Sequence, residues 1–335
     1  MKKLPISQLN DLFSAISRLE TLYLPTDAGF VPYSPETAMT RRVNTGRSPK
    51  DLFFPQVETL MGFRTRGQSI ELLDRREETK PFVIFGVRAC DCRSFDILDS
   101  VFLAPPEDTF YKNRRQAGVI VTLACNRPEE TCFCSSFAID PAEPAGDVSA
   151  WQTENTLYLR ANTEKGEKLL AQLSLLQDAD PEQIVPLQEQ IRQSVMRLPI
   201  QELPLEQFGA AHMMERFSSE KWDELSQSCL GCGSCTYVCP TCQCYDIKEF
   251  TANGEIQRYR CWDSCMYSDF TQMSAGQPRP TQKERFRQRF LHKLCYHPAN
   301  HGGEFSCVGC GRCLQKCPIH MNIVKVIRTL GEEDA

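Results

Sequence analysis

The feature that most constrains this chain is a cysteine pattern that occurs twice in its C-terminal part. The pattern is C-x2-C-x2-C-x3-C-P, and it runs from Cys229 to Pro240 and again from Cys307 to Pro318. Three thiolates at intervals of three residues can surround one face of an iron–sulfur cubane, and the glycines between them let backbone amides approach the sulfurs. The fourth cysteine leaves in a different direction. The pattern therefore predicts two [4Fe-4S] clusters.

The same pattern occurs in two-cluster ferredoxins, where the fourth cysteine of each motif ligates the other cluster. This resemblance implies a crossed assignment of the ligands. Cluster I then takes Cys229, Cys232, Cys235 and Cys317, and cluster II takes Cys307, Cys310, Cys313 and Cys239. A pair of zinc knuckles is the alternative. A zinc site needs only four ligands, usually as two C-x2-C pairs, which leaves the third thiol of each motif and the prolines unexplained.

The segment between the two motifs is longer than in compact bacterial ferredoxins, and it contains helical material over residues 283–294. This arrangement resembles the α-helical ferredoxin domain of succinate dehydrogenase iron–sulfur subunits and heterodisulfide reductase small subunits. We therefore expect residues 206–335 to form a mainly α-helical ferredoxin-type domain. The basic residues of the predicted helix, including Arg289 and Lys293, are interpreted as a solvated face. Compensation of cluster charge and docking of an acidic partner are the alternatives.

Residues 1–205 are predicted to form an α/β domain, with a boundary near Pro204. Apolar residues at helical spacing indicate a helix within the first twenty residues, and short β-rich runs indicate strands. Two of these runs are almost entirely apolar, as in strands that are covered on both faces. The predicted strands are residues 82–87, 119–123 and 157–159, and the predicted later helices are residues 94–102, 164–175 and 181–196.

Ten cysteines lie outside the two motifs. Five of them follow two neighbouring predicted strands, and the ends of parallel strands are where α/β domains build their sites. We predict a third cluster there, held by Cys90, Cys125, Cys132 and Cys134. Cys92 is expected to point away if Asp91 keeps the chain extended, since alternate residues of an extended chain face opposite ways.

A second group of thiols follows the first motif. It can hold a further cluster, or its members can be buried small hydrophobic residues that line the first two clusters. The residues of this group are Cys242, Cys244, Cys261 and Cys265. Cys295 stands alone and is interpreted as structural.

Composition narrows the class of protein. The chain has 335 residues, of which 41% are hydrophobic, and a formal net charge of -5. It therefore has no basic footprint for nucleic acid, and no apolar run approaches the length that spans a bilayer. The basic start turns polar too soon for a signal peptide, which predicts a cytoplasmic protein. In a reducing compartment 18 cysteines are expected to bind metal or do chemistry rather than form disulfides.

A family resemblance appears when the motifs are taken in order. FGVRACD, LACN, TCFCSS, CPTCQCY, WDSC and CVGCGRC together resemble the β subunit of sulfhydrogenase-type hydrogenases and the corresponding iron–sulfur subunit of anaerobic sulfite reductase. The resemblance covers residues 80–325. It implies an electron-transfer subunit of a multisubunit oxidoreductase complex of anaerobic metabolism, without catalysis of its own. Electrons would pass between a flavin subunit that handles NAD(P)H and a catalytic subunit such as a hydrogenase or a sulfite reductase.

Two other functions are possible on the residues alone. One is a reductase that acts on a small substrate at an unusual cluster in the N-terminal domain, which would need an open or non-cysteine iron position. The other is a zinc-dependent binding module. The chain has neither the glycine fingerprint of a dinucleotide site nor a G-x4-G-K-[ST] loop, so NAD(P)H is expected to bind another subunit.

Overall fold

The computed structural model describes residues 1–40, 42–74, 76, 79–252 and 254–332, without the side chain of Arg66. It combines mixed sheets with helices, as expected for an α/β domain followed by a ferredoxin-type domain. The strands are β1 (Lys2–Pro5), β2 (Thr21–Pro25), β3 (Phe30–Pro32), β4 (Val57–Arg66), β5 (Ser69–Asp74), β6 (Phe82–Val87), β7 (Gly118–Leu123), β8 (Val148–Gln152), β9 (Thr156–Ala161), β10 (Gln177–Asp178), β11 (Tyr245–Ala252) and β12 (Glu255–Trp262).

The helices are shorter and more numerous toward the C-terminus. A π-helical segment, His292–Tyr296, continues α9. The α-helices are α1 (Leu9–Leu19), α2 (Ala89–Phe102), α3 (Thr109–Ala117), α4 (Glu164–Ala171), α5 (Val185–Met196), α6 (Met213–Ser218), α7 (Lys221–Gln227), α8 (Ser234–Tyr237), α9 (Gln282–Leu291), α10 (His297–Asn300), α11 (Arg312–Lys316) and α12 (Ile323–Gly331).

An eight-stranded sheet forms the centre of the N-terminal part. Its order is β10-β1-β9-β8-β7-β6-β2-β3, and the four strands β8, β7, β6 and β2 are parallel. Every residue of β6 and β7 is buried, which explains why these two runs are almost wholly apolar. One core cluster contains residues of α1 and α4, and another contains residues of α2 with Phe53 and Phe54. The carboxyl ends of β6 and β7 therefore open toward one edge of the sheet.

The first turn of α2 differs from the sequence-based expectation. Cys90, Asp91 and Cys92 are helical rather than extended, because the chain enters α2 immediately after Arg88. Successive helical residues are separated by about 100° around the axis, so the two cysteines still face different ways. Cys92 packs with Phe95 in an apolar cluster. The reason given for its orientation was wrong, because the chain at Asp91 is not extended.

A second sheet joins the two halves of the chain. Its order is β11-β12-β4-β5, and all of its pairs are antiparallel. The hairpin of β11 and β12 lies between the two cysteine motifs, where the sequence indicated helical material. A mainly helical C-terminal domain is therefore not confirmed. The helix predicted over residues 283–294 corresponds to α9 and the π-helical segment, and a capping box between Thr281 and Glu284 begins it.

The second cysteine motif contacts the N-terminal part through a buried ion pair. Arg312 donates hydrogen bonds to both carboxylate oxygens of Asp91, at 2.6 and 2.7 Å, and both side chains are 2% exposed. The backbone amide of Phe133 also donates to the carbonyl oxygen of Gly309 at 2.9 Å. Gly309 has φ +58°, and a Cβ there would lie 2.3 Å from the carbonyl oxygen of Phe133. Only glycine allows this approach.

Removal of one partner of the buried pair should destabilise the protein strongly. We expect Arg312→Met to lower the free energy of unfolding by about 3–5 kcal/mol, because it leaves the Asp91 carboxylate buried without its partner. Anaerobic urea denaturation measures the loss. The matched control is Arg192→Met, which breaks a surface pair with Asp140 and should cost less than about 1 kcal/mol. Equal small losses in both variants would show that the Asp91 contact does not stabilise the fold.

Candidate metal centres

Three cavities of the structure are each lined by four cysteines. Each encloses a few hundred Å³ of empty space, part of it open to solvent: about 430 Å³ in cavity I, 330 Å³ in cavity II and 350 Å³ in cavity III. Cavity I is lined by Cys229, Cys232, Cys235 and Cys317, cavity II by Cys239, Cys307, Cys310 and Cys313, and cavity III by Cys90, Cys125, Cys132 and Cys134.

Cavity I is built by the turn between α7 and α8. Gly233 has φ +72° and begins α8, which turns the backbone sharply between the cysteines. The side-chain amide of Gln282 donates to the Cys229 sulfur at 3.4 Å. Cys232 is exposed, and a hydrogen bond with the Ser234 side chain lowers the pKa of its thiol. Cavity I is therefore the one with a solvent-exposed thiol.

Cavity II is more enclosed. Burial raises the pKa of Cys307 to about 12. Cys239 differs, because a hydrogen bond with the Cys242 side chain holds the pKa of its thiol well below the usual range. The hydroxyl of Thr241 lies 3.2 Å from the Cys239 sulfur and accepts a hydrogen bond from the Lys293 ammonium at 2.7 Å. Polar groups thus accompany the thiols into this part of the core.

Cavity III lies at the sheet edge where β6 and β7 end. Cys90 begins α2, Cys125 follows β7, and the other two thiols come from the loop after it. All four are buried, and burial raises the pKa of Cys132 to about 12. The side chain of Asn44 reaches the Cys90 and Cys132 sulfurs at 3.9 Å and donates to the Cys310 carbonyl oxygen at 2.8 Å. Cys92 is absent from the residues that line this cavity.

The three cavities are arranged in series. Arg289 lines both cavity I and cavity II, and Gly309 and Cys310 line both cavity II and cavity III. Within the described part of the chain, no three His, Cys, Asp or Glu side chains are arranged to hold a single metal ion. A four-iron cubane instead takes its thiolates around a larger body. The donor sets and the enclosed spaces fit such clusters.

The remaining predicted group of four thiols is only partly brought together. Cys244 and Cys265 share a hydrogen bond, and Cys242 hydrogen-bonds with Cys239 at the wall of cavity II. Cys261 instead lies opposite Asp246 in the β11–β12 ladder. A further cluster at this group stays a prediction.

Three buried cations beside the cysteines were not expected from the sequence. Arg289 and Lys293 are 2% and 3% exposed, so the interpretation as a solvated helix face was wrong for these two residues. Lys50 is 1% exposed, and its ammonium donates to the carbonyl oxygens of Cys239 at 3.0 Å and Cys242 at 2.7 Å. The four-residue spacing of Arg289 and Lys293 on one helix was the available signal. Lys50 had none.

Known proteins share this arrangement of cysteines. Residues 228–321 match the family described as "4Fe-4S dicluster domain", and this match contains every cysteine of cavities I and II. The chain is also 34% identical over 254 residues to sulfhydrogenase 2 subunit beta of Pyrococcus furiosus, which covers 75% of this chain and 74% of that protein. The chain belongs to the sulfhydrogenase beta subunit family.

Membership of this family identifies an iron–sulfur protein with an electron-transfer role. The family resemblance expected from the sequence motifs is thereby confirmed. No solved structure matches the chain. Among the helices that the structure describes, none has the length and apolar character needed to cross a membrane.

The lining of cavity I predicts which cluster loses a ligand when Cys317 is changed. We expect Cys317→Ser to perturb the same paramagnetic centre as Cys232→Ser, because both residues line cavity I although they are far apart in sequence. Electron paramagnetic resonance spectra of the reduced variants measure this. Cys295→Ala, a buried cysteine outside the three cavities, is the matched control and should leave both centres unchanged. The crossed assignment fails if Cys317→Ser and Cys313→Ser perturb one shared centre and spare the other.

Proposed function

We propose that the chain is a relay subunit that carries single electrons through three [4Fe-4S] clusters, one at each cysteine-lined cavity. The observation that carries this proposal is the serial arrangement, in which neighbouring cavities share wall residues. Clusters I and II would take the crossed ligand sets, and cluster III would take the four thiols of cavity III. When bound, such clusters supply one-electron redox chemistry at potentials that the protein tunes.

The residues of the chain divide the work of such a relay. The buried thiols of cavities II and III lie among apolar side chains, which exclude water from the sites. The backbone contact between Phe133 and Gly309 holds cavities II and III against each other. Cys232, the exposed thiol, marks cavity I as the end that a redox partner can approach.

The proposed partners are a flavin-containing subunit that oxidises or reduces NAD(P)H, and a catalytic subunit such as a hydrogenase or a sulfite reductase. The similarity to a sulfhydrogenase beta subunit supports this assignment. All 18 cysteines are free thiols in the structure, which supports a cytoplasmic, reducing environment. Four cysteines can occupy every iron of a cubane at cavity III. An open iron position, which the alternative reductase function needs, therefore has no support there.

The isolated chain should accept electrons from dithionite but should not oxidise NAD(P)H, because it carries no dinucleotide fingerprint. Absorbance at the cluster bands and NADH-dependent dye reduction measure the two activities. Addition of the flavin-containing partner should restore reduction by NAD(P)H. Robust NADH:dye activity of the flavin-free chain alone would reject the pure relay.

The third cluster can be tested by counting iron in the full chain. Cys134→Ala should reduce the iron content by about four atoms per chain, since it removes one of the four thiols at cavity III. Cys92→Ala is the matched control, because Cys92 is a buried cysteine of the same domain that does not line the cavity. Iron and sulfide analysis after anaerobic reconstitution gives the result. The full chain is used because the second sheet takes strands from both halves. Equal iron contents in the two variants and the unaltered chain would remove the third cluster.

A further inference from the structure

Arg289 is a buried cation that points into the wall between two metal cavities. It lines both cavity I and cavity II and is 2% exposed. Its Nε is buried and has no hydrogen-bond partner, and the contact described for its guanidinium is with the ring of the adjacent Phe290, at 4.3 Å. No ion pair with a carboxylate is described for it among residues 1–40, 42–74, 76, 79–252 and 254–332.

Burial of an unpaired guanidinium is costly. A buried donor without an acceptor loses the hydrogen bonds it made with water, and a buried charge without a counter-charge loses much more. Guanidinium does not escape this cost by deprotonation in proteins. Burial lowers the pKa of Arg289, but the thiolates of Cys235 in cavity I and Cys313 in cavity II outweigh burial and raise it. The chemistry that would satisfy Arg289 is therefore an anion on each side of it.

We propose that Arg289 is a shared counter-charge and hydrogen-bond donor for clusters I and II, and that it raises the reduction potential of both. This inference rests on the proposed function, because it requires both cavities to hold thiolate-bound clusters. Each cluster gains one electron and therefore one unit of negative charge when it is reduced. A fixed positive charge nearby stabilises that added charge, and hydrogen bonds to the sulfurs act in the same direction.

Lys293 provides an internal comparison on the same helical segment. It lines cavity II but not cavity I, and its ammonium donates to Thr241 and to the carbonyl oxygen of Ser306, at 2.7 and 3.1 Å. No carboxylate contact is described for it within the chain that the structure covers. Its charge should therefore act mainly on cluster II. Arg289 and Lys293 together would make cluster II the site of higher potential between its two neighbours.

The experiment is a redox titration of the reconstituted full chain, followed by electron paramagnetic resonance, in three variants of one helical segment. Arg289→Gln should lower the midpoint potentials of both clusters, and Lys293→Met should lower that of cluster II alone. A tenfold loss in a one-electron reduction equilibrium corresponds to about 59 mV, and we expect at least this at cluster II in both variants. Arg287→Gln is the control. Arg287 lies over the ring of Phe217, so both potentials should keep their original values.

Each outcome decides the proposal. Unchanged potentials in Arg289→Gln at full iron content overturn it, and a shift of one cluster alone overturns the sharing. If Arg289→Gln does not retain clusters I and II, Arg289→Lys is compared with it. Retention in the lysine variant supports the requirement for charge, and loss in both variants shows that shape rather than charge is needed.

The relay itself is separated from this inference by the unaltered protein. If its clusters titrate as described but the flavin-containing partner cannot reduce them, the relay fails and the role of Arg289 stands. If the unaltered chain binds no cluster in cavities I and II, the proposed function fails first.

Discussion

The contact between the second cysteine motif and the N-terminal domain holds the three cavities in one series. The buried pair of Asp91 and Arg312 joins residues that stand directly beside cysteines, since Asp91 follows Cys90 and Arg312 precedes Cys313. A shift of this contact would therefore move a wall of cavity II and a wall of cavity III together. A buried ion pair is costly to break once formed, and bidentate geometry fixes the orientation of both groups.

Charge compensation is the second constraint on the core. The chain is acidic as a whole, yet three cations are buried beside the cysteines. Lys50 is held by two backbone carbonyls and lies 3.8 Å from the centre of the Trp262 ring. Burial lowers the pKa of Lys50 to about 8, although the thiolates of Cys242 and Cys239 oppose the effect. These cations are explained most simply by the negative charge of thiolates that bind metal.

The second sheet explains why the two parts of the chain depend on each other. Strands β4 and β5 come from the N-terminal part, and β11 and β12 come from the segment between the cysteine motifs. The base of this sheet carries the buried contact of Glu58 with Arg260, whose side chains are each 2% exposed. The ferredoxin-type motifs therefore sit in a structure that neither part builds alone.

The sequence by itself determined the local elements and the iron–sulfur chemistry. Strands such as Phe82–Val87 were predictable because a run buried on both faces must be apolar, and the doubled motif predicted the two clusters because its spacing suits a cubane. Only the tertiary structure decided what depends on distant contacts: the pairing of β12 with β4, the burial of Lys50 among cysteine carbonyls, and the place of Arg289 between two cavities. Periodicity and spacing describe neighbours along the chain, whereas these features join residues that are far apart in sequence and carry no local signal.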